Sequence, residues 1–476
     1  MHHKNLVLAL LLAASLSAFL SACGGGSDDG AGDQTLRTTF ARQVTFGDSL
    51  SDVGTYAVGT VLALGGGRYT INGNNTTLNP ALTGKTWTEL MAAQFGLPAP
   101  CPAQTGLDGD PAQGFSVPVT NHPNCFGYAQ GGARVTNPIG TGHRLTGSPL
   151  GELTVPVVTQ VATHLAKTGG RFSGTEIVFV TAGGNDALAL LGQLQAGATA
   201  AGEAAGAAEG ARVGAETFAA TLAGSLAAGA ADPQAAGAAI GAAMLAESRR
   251  AGSTGESIAG VAIATAAAQP GNQAVGSPAV YGPMVARAQS AAQQAGAAAG
   301  AAAGARAGAA FAAAQGPAMI AAMTAAGAEL SAIVTTQIVA RGANYVVVNN
   351  LPDLGSSPAG KAQDANTQVL INAMVGAFNS ALKSGVSGEA KVLYVDLFAV
   401  SHDQIINPAP YGLSNTSTPA CGPNELQGYS LVCRAANLTG GDVSRYMFAD
   451  DVHPTPFEHA LIARYVAQQM IIKGWL

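Results

Sequence analysis

Three apolar runs of strand length stand out along the chain: Glu176–Thr181, Asn344–Asn349 and Lys391–Asp396. Runs that are apolar on both faces are typical of strands in parallel sheets, which helices cover on both sides. A shorter strand is predicted at Gln43–Phe46, and Trp87–Phe95 has apolar residues at helical spacing. Strands that alternate with helical stretches predict a three-layer α/β/α sandwich with a parallel sheet.

Between residues 188 and 340 the pattern changes to alanine and glycine with few charges. Two sets of glycines recur every fourth residue: Gly202, Gly206, Gly210, Gly214 and Gly296, Gly300, Gly304, Gly308. This period places each set on one helix face. Because glycine costs about 1 kcal/mol in a helix, its repetition favours close helix contact. We predict an inserted hairpin or small bundle of long helices; a flexible low-complexity segment is the alternative, and charged residues disfavour a membrane span.

Composition narrows the class of protein only slightly. The chain has 476 residues, 48% hydrophobic and 11% charged, with a formal net charge of -6. Nucleic-acid binding would need a basic stripe, so no nucleic acid partner is expected. The charge specifies neither an acidic nor a basic substrate.

The N-terminus predicts export. Residues 1–22 have the plan of a signal peptide, because the apolar run Leu6–Phe19 is too short for an ordinary membrane span. Leu20–Cys23 resembles the lipobox of bacterial lipoproteins, which implies lipidation of Cys23, and residues 23–39 read as a flexible tether. By the same resemblance, Gly24 after the cysteine favours anchoring in the outer membrane. Whether the protein lies on the periplasmic or the cell-surface side stays open. An ordinary cleaved signal peptide is the alternative.

Four cysteines remain after Cys23. An even number in an exported protein predicts disulfides, and four cysteines allow three pairings. We favour Cys101–Cys125 and Cys421–Cys433, because each pair brackets a short stretch with loop composition.

Phe46–Gly54 (FGDSLSDVG) is the first of four segments with catalytic character. A strand-to-helix turn with glycine beside serine exposes the hydroxyl where open α/β sheets place their sites. Together with three later segments in the same order, it resembles the GDSL (SGNH) hydrolase family over residues 40–187 and 341–476. The resemblance implies that Ser49 is the nucleophile of a serine hydrolase; the rival hydroxyl of Ser51 falls outside the motif.

The second segment, Tyr128–Arg134 (YAQGGAR), resembles the family's oxyanion-hole glycine segment. Spacing favours the backbone N–H of Gly132, and Gly131 stays open as the alternative. The N–H of Ser49 is the second expected donor, because a helix start leaves its first N–H groups unpaired.

The third segment, Thr181–Asp186 (TAGGND), follows a predicted strand and resembles the family's G-x-N-D. The resemblance implies that the Asn185 side chain donates to the oxyanion. Asp186 is expected to cap or orient the helix that follows.

The last segment, Phe448–Thr455, resembles the family's D-x-x-H-P. It implies His453 as general base and Asp450 as the carboxylate that orients its imidazole. Asp451 is the competing carboxylate at the wrong spacing, and His459 is expected on the surface of the next helix.

The implied function is hydrolysis of carboxylic esters as an esterase or lipase, with no metal or organic cofactor. The ester class stays open, lipids included. The insertion leaves the sheet beside Asn185, so it is predicted to act as a lid or acyl-binding surface, a spacer, or an assembly surface. The alternative function is a surface-anchored binding or assembly protein that uses the Ala/Gly helices and carries a vestigial hydrolase domain.

Overall fold

A central four-stranded parallel sheet organises the protein. The computed structural model describes residues 38–73 and 82–476; the predicted signal peptide, Cys23 and the tether up to residue 37 lie outside this range. The sheet order is β1-β4-β5-β6, from Gln43–Gly47, Ile177–Thr181, Tyr345–Asn349 and Val392–Val395. A separate antiparallel ribbon pairs β2, Gln104–Asp108, with β3, Ser116–Asn121.

The helices surround this sheet and extend far beyond it. In chain order they are α1 Gly59–Ala63, α2 Trp87–Gln94, α3 Val157–Lys167, α4 Gly184–Ala227, α5 Pro233–Ser248, α6 Gly255–Ala267, α7 Pro278–Ala332, α8 Pro358–Lys361, α9 Ala365–Val386, α10 Leu397–Ile406 and α11 Pro456–Ile472. A π-helical stretch, Ile333–Val339, continues α7.

Two hydrophobic cores explain the layers. On one face of the sheet, side chains such as Val178 and Val346 pack with α3, α9 and the proximal ends of α4 and α7. On the other face, Phe179 and Val347 pack with α2 and α11. Every residue of β1 and β4 is buried, as continuous apolar runs require in a sheet covered on both sides. The predicted α/β fold with a parallel sheet is confirmed.

The Ala/Gly-rich stretch forms a long helical hairpin with a small distal bundle. Helices α4 and α7 have 44 and 55 residues, so they run for roughly 66 and 82 Å at 1.5 Å per residue. Their glycine faces meet: a Cβ atom placed on Gly206 would lie 2.9 Å from the carbonyl oxygen of Gly300. At the far end, α5 and α6 close a separate core around Leu222, Leu226 and Ile240.

The hairpin is not separate from the layers around the sheet at its base. Helix α4 begins at Gly184 rather than at the predicted boundary of 188. Leu194 of α4 and Met323 and Leu330 of α7 belong to the same hydrophobic core as the sheet.

The continuous stretch Pro278–Val339 has the length and composition of a membrane span, the one such helix among the described residues.

Candidate active site

The candidate site lies where β1 and β4 end at the same edge of the sheet. β1 ends at Gly47, and a single 3₁₀ turn, Ser49–Ser51, follows. Gly47 has φ +146°, and a Cβ atom there would lie 2.1 Å from the carbonyl oxygen of Thr181. The buried Gln160 side chain accepts from the Gly47 N–H and donates to its carbonyl, each at 2.8 Å. This turn therefore fixes Ser49 and needs glycine two residues before it.

Ser49, His453 and Asp450 form a continuous hydrogen-bonded chain. Ser49 Oγ lies 2.9 Å from His453 Nε2, and His453 Nδ1 lies 2.9 and 2.8 Å from the two carboxylate oxygens of Asp450. Asp450 also accepts from the backbone N–H groups of Ser430, Val452 and His453. The side chains of Ser49, His453 and Asp450 are all buried.

The charges of this pair stabilise each other. Burial alone raises the pKa of Asp450, but the adjacent His453 and the hydrogen bonds from His453 and Ser430 outweigh it and hold that pKa below its usual range. Burial alone lowers the pKa of His453, but the charge and hydrogen bond of Asp450 raise it above its usual value. Because ionised Asp450 accepts from Nδ1–H, the neutral imidazole presents Nε2 as an acceptor to the Ser49 hydroxyl.

Two residues that line the same cleft have backbone N–H groups without a hydrogen-bond partner among the described residues. Among the described residues, neither the Ser49 N–H nor the Gly132 N–H donates a hydrogen bond within the chain. Gly131 differs, because its N–H donates to Asp52 Oδ2 at 2.9 Å. Gly132 has φ +74°, and a Cβ atom there would lie 2.1 Å from the carbonyl oxygen of Thr141. The geometry therefore favours Gly132 over Gly131 as an oxyanion donor.

Asn185 lies in the first turn of α4 and lines this cleft. Its Nδ2 donates to the carbonyl oxygen of Ala133 at 3.1 Å, and its Oδ1 accepts from Thr141 Oγ1 at 2.5 Å. These bonds set the orientation of the amide. Asp186, the next residue, accepts from Arg134 Nε at 2.9 Å and from a backbone N–H, and so ties α4 to the glycine segment.

The rival residues have other partners. The hydroxyl of Ser51 accepts from Trp87 Nε1 at 3.2 Å, and the Asp451 side chain is exposed. The expectation of a surface His459 is wrong: the ring is fully buried, and its Nδ1 accepts from the Trp87 N–H at 3.2 Å. Burial lowers the pKa of His459 to about 3, so its neutral ring serves as a packing and acceptor group.

A cluster behind His453 had no signal in the sequence. The rings of Tyr69 and Tyr429 pack against the imidazole, with centroids 5.0 and 5.8 Å away. Glu152 Oε1 accepts from both tyrosine hydroxyls, at 2.7 and 3.3 Å. Burial raises the pKa of Glu152 to about 7. None of these three residues belongs to a recognisable motif, and they are far apart in the sequence, so only folding brings them together.

The two disulfides of the structure join Cys101 to Cys125 and Cys421 to Cys433, the pairing favoured from the sequence. The second one steadies the loop that carries Ser430, whose N–H holds Asp450 at 2.9 Å. In the part of the chain that the structure describes, no group of three His, Cys, Asp or Glu residues is arranged to hold a metal ion.

A cavity of ≈ 230 Å³ opens onto Ser49 and His453. Its walls include Leu351 and Leu354, which follow β5, and Val400 of α10. The segment that follows β5 therefore forms part of the wall of the cleft.

Comparison with known proteins points to one family. Residues 299–466 match the model described as GDSL-like lipase/acylhydrolase; this segment includes Asp450 and His453 but not Ser49. The chain is similar to a GDSL esterase/lipase of Arabidopsis thaliana (37% identity over 17% of this chain and 22% of the relative). It is also similar to Lipase 1 of Photorhabdus luminescens (40%, over 16% and 11%) and to GDSL esterase/lipase 7 of Arabidopsis thaliana (34%, over 20% and 27%). The matches thus span less than half of each relative.

Proposed function

We propose that this chain, which belongs to the GDSL family by its family match and its curated relatives, cleaves carboxylic esters through an acyl-enzyme on Ser49. Family membership supports a hydrolase of ester bonds. The assignment to Ser49 rests on one observation, the unbroken hydrogen-bonded chain from its hydroxyl through His453 to Asp450.

The first step transfers the acyl group. His453 Nε2 takes the proton of the Ser49 hydroxyl as Oγ attacks the ester carbonyl carbon. Asp450 stabilises the imidazolium that forms and keeps its proton on Nδ1. The imidazolium then protonates the leaving alkoxide, the alcohol departs, and the acyl group stays on Oγ.

The second step regenerates the free enzyme. Water gives a proton to His453 Nε2 as its oxygen attacks the acyl carbon, and the carboxylic acid leaves when Ser49 regains its proton. In both steps the former carbonyl oxygen becomes negatively charged, and it accepts hydrogen bonds from the N–H groups of Ser49 and Gly132 and from the Asn185 amide. Donors fixed in advance stabilise charge that develops only in the transition state, and one of them is typically worth about 10²–10³ in kcat.

A fluorophosphonate probe and p-nitrophenyl butyrate test this proposal. We expect wild-type protein to be labelled and to release p-nitrophenol, and Ser49→Ala to do neither. Ser51→Ala is the matched control, because its hydroxyl contacts Trp87 instead of the cleft; it should keep its labelling. Labelling that persists in Ser49→Ala would overturn the assignment. Absence of labelling in the wild type would favour the binding or assembly protein instead.

We also propose that the protein is an exported lipoprotein anchored to the bacterial outer membrane through Cys23. The proposal is supported by the lipobox-like Leu20–Cys23 and by two disulfides, which form in oxidising compartments. Radiolabelled palmitate should enter the wild type and not a Cys23→Ala variant. Equal incorporation into both would refute lipidation at this residue.

A further inference from the structure

A second and larger cavity adjoins the catalytic cleft. It is a groove of ≈ 1060 Å³ between the proximal ends of α4 and α7 on one side and the segment from Leu354 to Ile371 on the other. Four residues line both cavities: Leu188, Leu354, Ser357 and Val452. The groove therefore borders the cleft that holds Ser49 and His453.

The groove begins at the proposed catalytic machinery. Leu188 lies one helical turn after Asn185 on α4, and Val452 immediately precedes His453. Along α4 the lining continues from Leu188 to Glu203, which corresponds to roughly 22 Å at 1.5 Å per residue. An extended long-chain fatty acyl group has a comparable length.

The lining has the chemistry of a hydrocarbon site. Leucine, valine, alanine and glycine dominate near the cleft, and no lysine or arginine is present among the lining residues. The charged side chains there, Glu203 and Asp364, are both acidic, and they repel an anionic head group. The hairpin glycines keep the wall free of side chains: at Gly192 an added Cβ atom would meet nothing within 4 Å.

We infer that the base of the helical hairpin forms the binding site for the acyl chain of a long-chain ester, which extends from Ser49 along this groove. The inference rests on the proposed function and names its substrate class. We assign the acyl rather than the alcohol side because the acyl group stays bound through both steps, whereas the alcohol leaves after the first. The smaller cleft then receives the alcohol.

Gly192→Trp tests this site, because Gly192 lines the groove and an added Cβ atom there meets nothing within 4 Å. Gly224→Trp is the matched control: it makes the same change on the same helix, its Cβ atom also meets nothing within 4 Å, and it does not line the groove. The readout is the ratio of kcat/KM for p-nitrophenyl palmitate to that for p-nitrophenyl butyrate, in one detergent.

We expect wild type and Gly224→Trp to share one ratio and Gly192→Trp to lower it at least about tenfold. Burial of each methylene is worth about a fourfold change in binding, so exclusion of two methylenes already gives that loss. An unchanged ratio in Gly192→Trp overturns the inference, as does a wild type that cleaves the butyrate ester but not the palmitate ester.

A second series separates the acyl side from the alcohol side. Butyl and hexadecyl acetate vary only the alcohol, and Gly192→Trp should leave their ratio of kcat/KM unchanged. Loss in this series, with the acyl series unaffected, would overturn the assignment of the acyl chain to the groove. Failure of the proposed function is distinguishable from failure of the groove assignment. If the proposed function is wrong, Ser49→Ala retains hydrolysis of the butyrate ester.

Discussion

Alanine in place of Gly296 tests whether the glycines hold the hairpin together. Gly296 is buried in α7, and a Cβ atom there would lie 2.7 Å from the carbonyl oxygen of Gly210 on α4. Gly224 lies on α4 in open space, where an added Cβ atom meets nothing within 4 Å. Gly224→Ala therefore makes the same chemical change without the interhelical contact.

Helix propensity and packing oppose each other at Gly296 and not at Gly224. Alanine favours a helix over glycine by about 1 kcal/mol, and this gain applies to both variants. At Gly296 the methyl group forces the helices apart, and overpacking of this kind costs about 1–3 kcal/mol. We expect Gly224→Ala to stabilise by up to about 1 kcal/mol and Gly296→Ala to destabilise by up to about 2 kcal/mol.

Thermal and urea unfolding followed by circular dichroism at 222 nm measure both changes. The distal bundle has a core of its own, whereas the base of the hairpin shares its core with the sheet, so the transition that moves in Gly296→Ala is assigned to the distal part of the hairpin. A Gly296→Ala variant that is stabilised as much as Gly224→Ala would refute close helix packing as the reason for the glycine period.

Two further predictions concern charge. If the proposed mechanism holds, Asp450→Asn should lower kcat about 10⁴-fold. It should also move the acidic limb of the kcat/KM–pH profile to lower pH, because Asp450 raises the pKa of His453 and the proposed base is the neutral imidazole. An unmoved limb would contradict this coupling. Burial raises the pKa of Glu458 from 4.5 to about 8. A raised carboxyl pKa contributes stability below pH 4.5 that is lost as the pH rises through about 8. Glu458→Gln should therefore flatten the fall in Tm between pH 4.5 and about 8. An equally steep fall in the variant would exclude Glu458 as the cause of the pH dependence.

The strands and the local geometry of the proposed catalytic segments were predictable because each depends on local sequence. Continuous apolar runs such as Glu176–Thr181 identify buried strands wherever they occur, and β4 covers Ile177–Thr181. Short motifs likewise carry their own geometry: Asp450 and His453 are three residues apart, so one turn of chain brings them together. The glycine period likewise depends only on spacing along the chain, and it identifies one face of each helix that allows close packing.

Contacts between distant segments were not predictable in this way. Glu152 meets Tyr69 and Tyr429 across separations of 83 and 277 residues, and nothing in the residues around any of them indicates it. His459 was expected at the surface because it lies outside the motif, on the helix that follows it. It is buried because α11 packs against α2, where the Trp87 N–H requires an acceptor.

The depth to which the hairpin enters the core changes how its role is tested. Removal of residues 193–327 would delete Leu194 and Met323 from the hydrophobic core that also packs the sheet. Loss of a buried leucine or methionine side chain costs about 2–5 kcal/mol, so such a deletion would abolish activity through misfolding whatever the hairpin does. Asn185 and Leu188 lie one turn apart on α4, so the helix that positions the proposed oxyanion donor also forms the groove wall. Point changes on that face, which leave the core intact, are therefore the informative perturbations of the insertion.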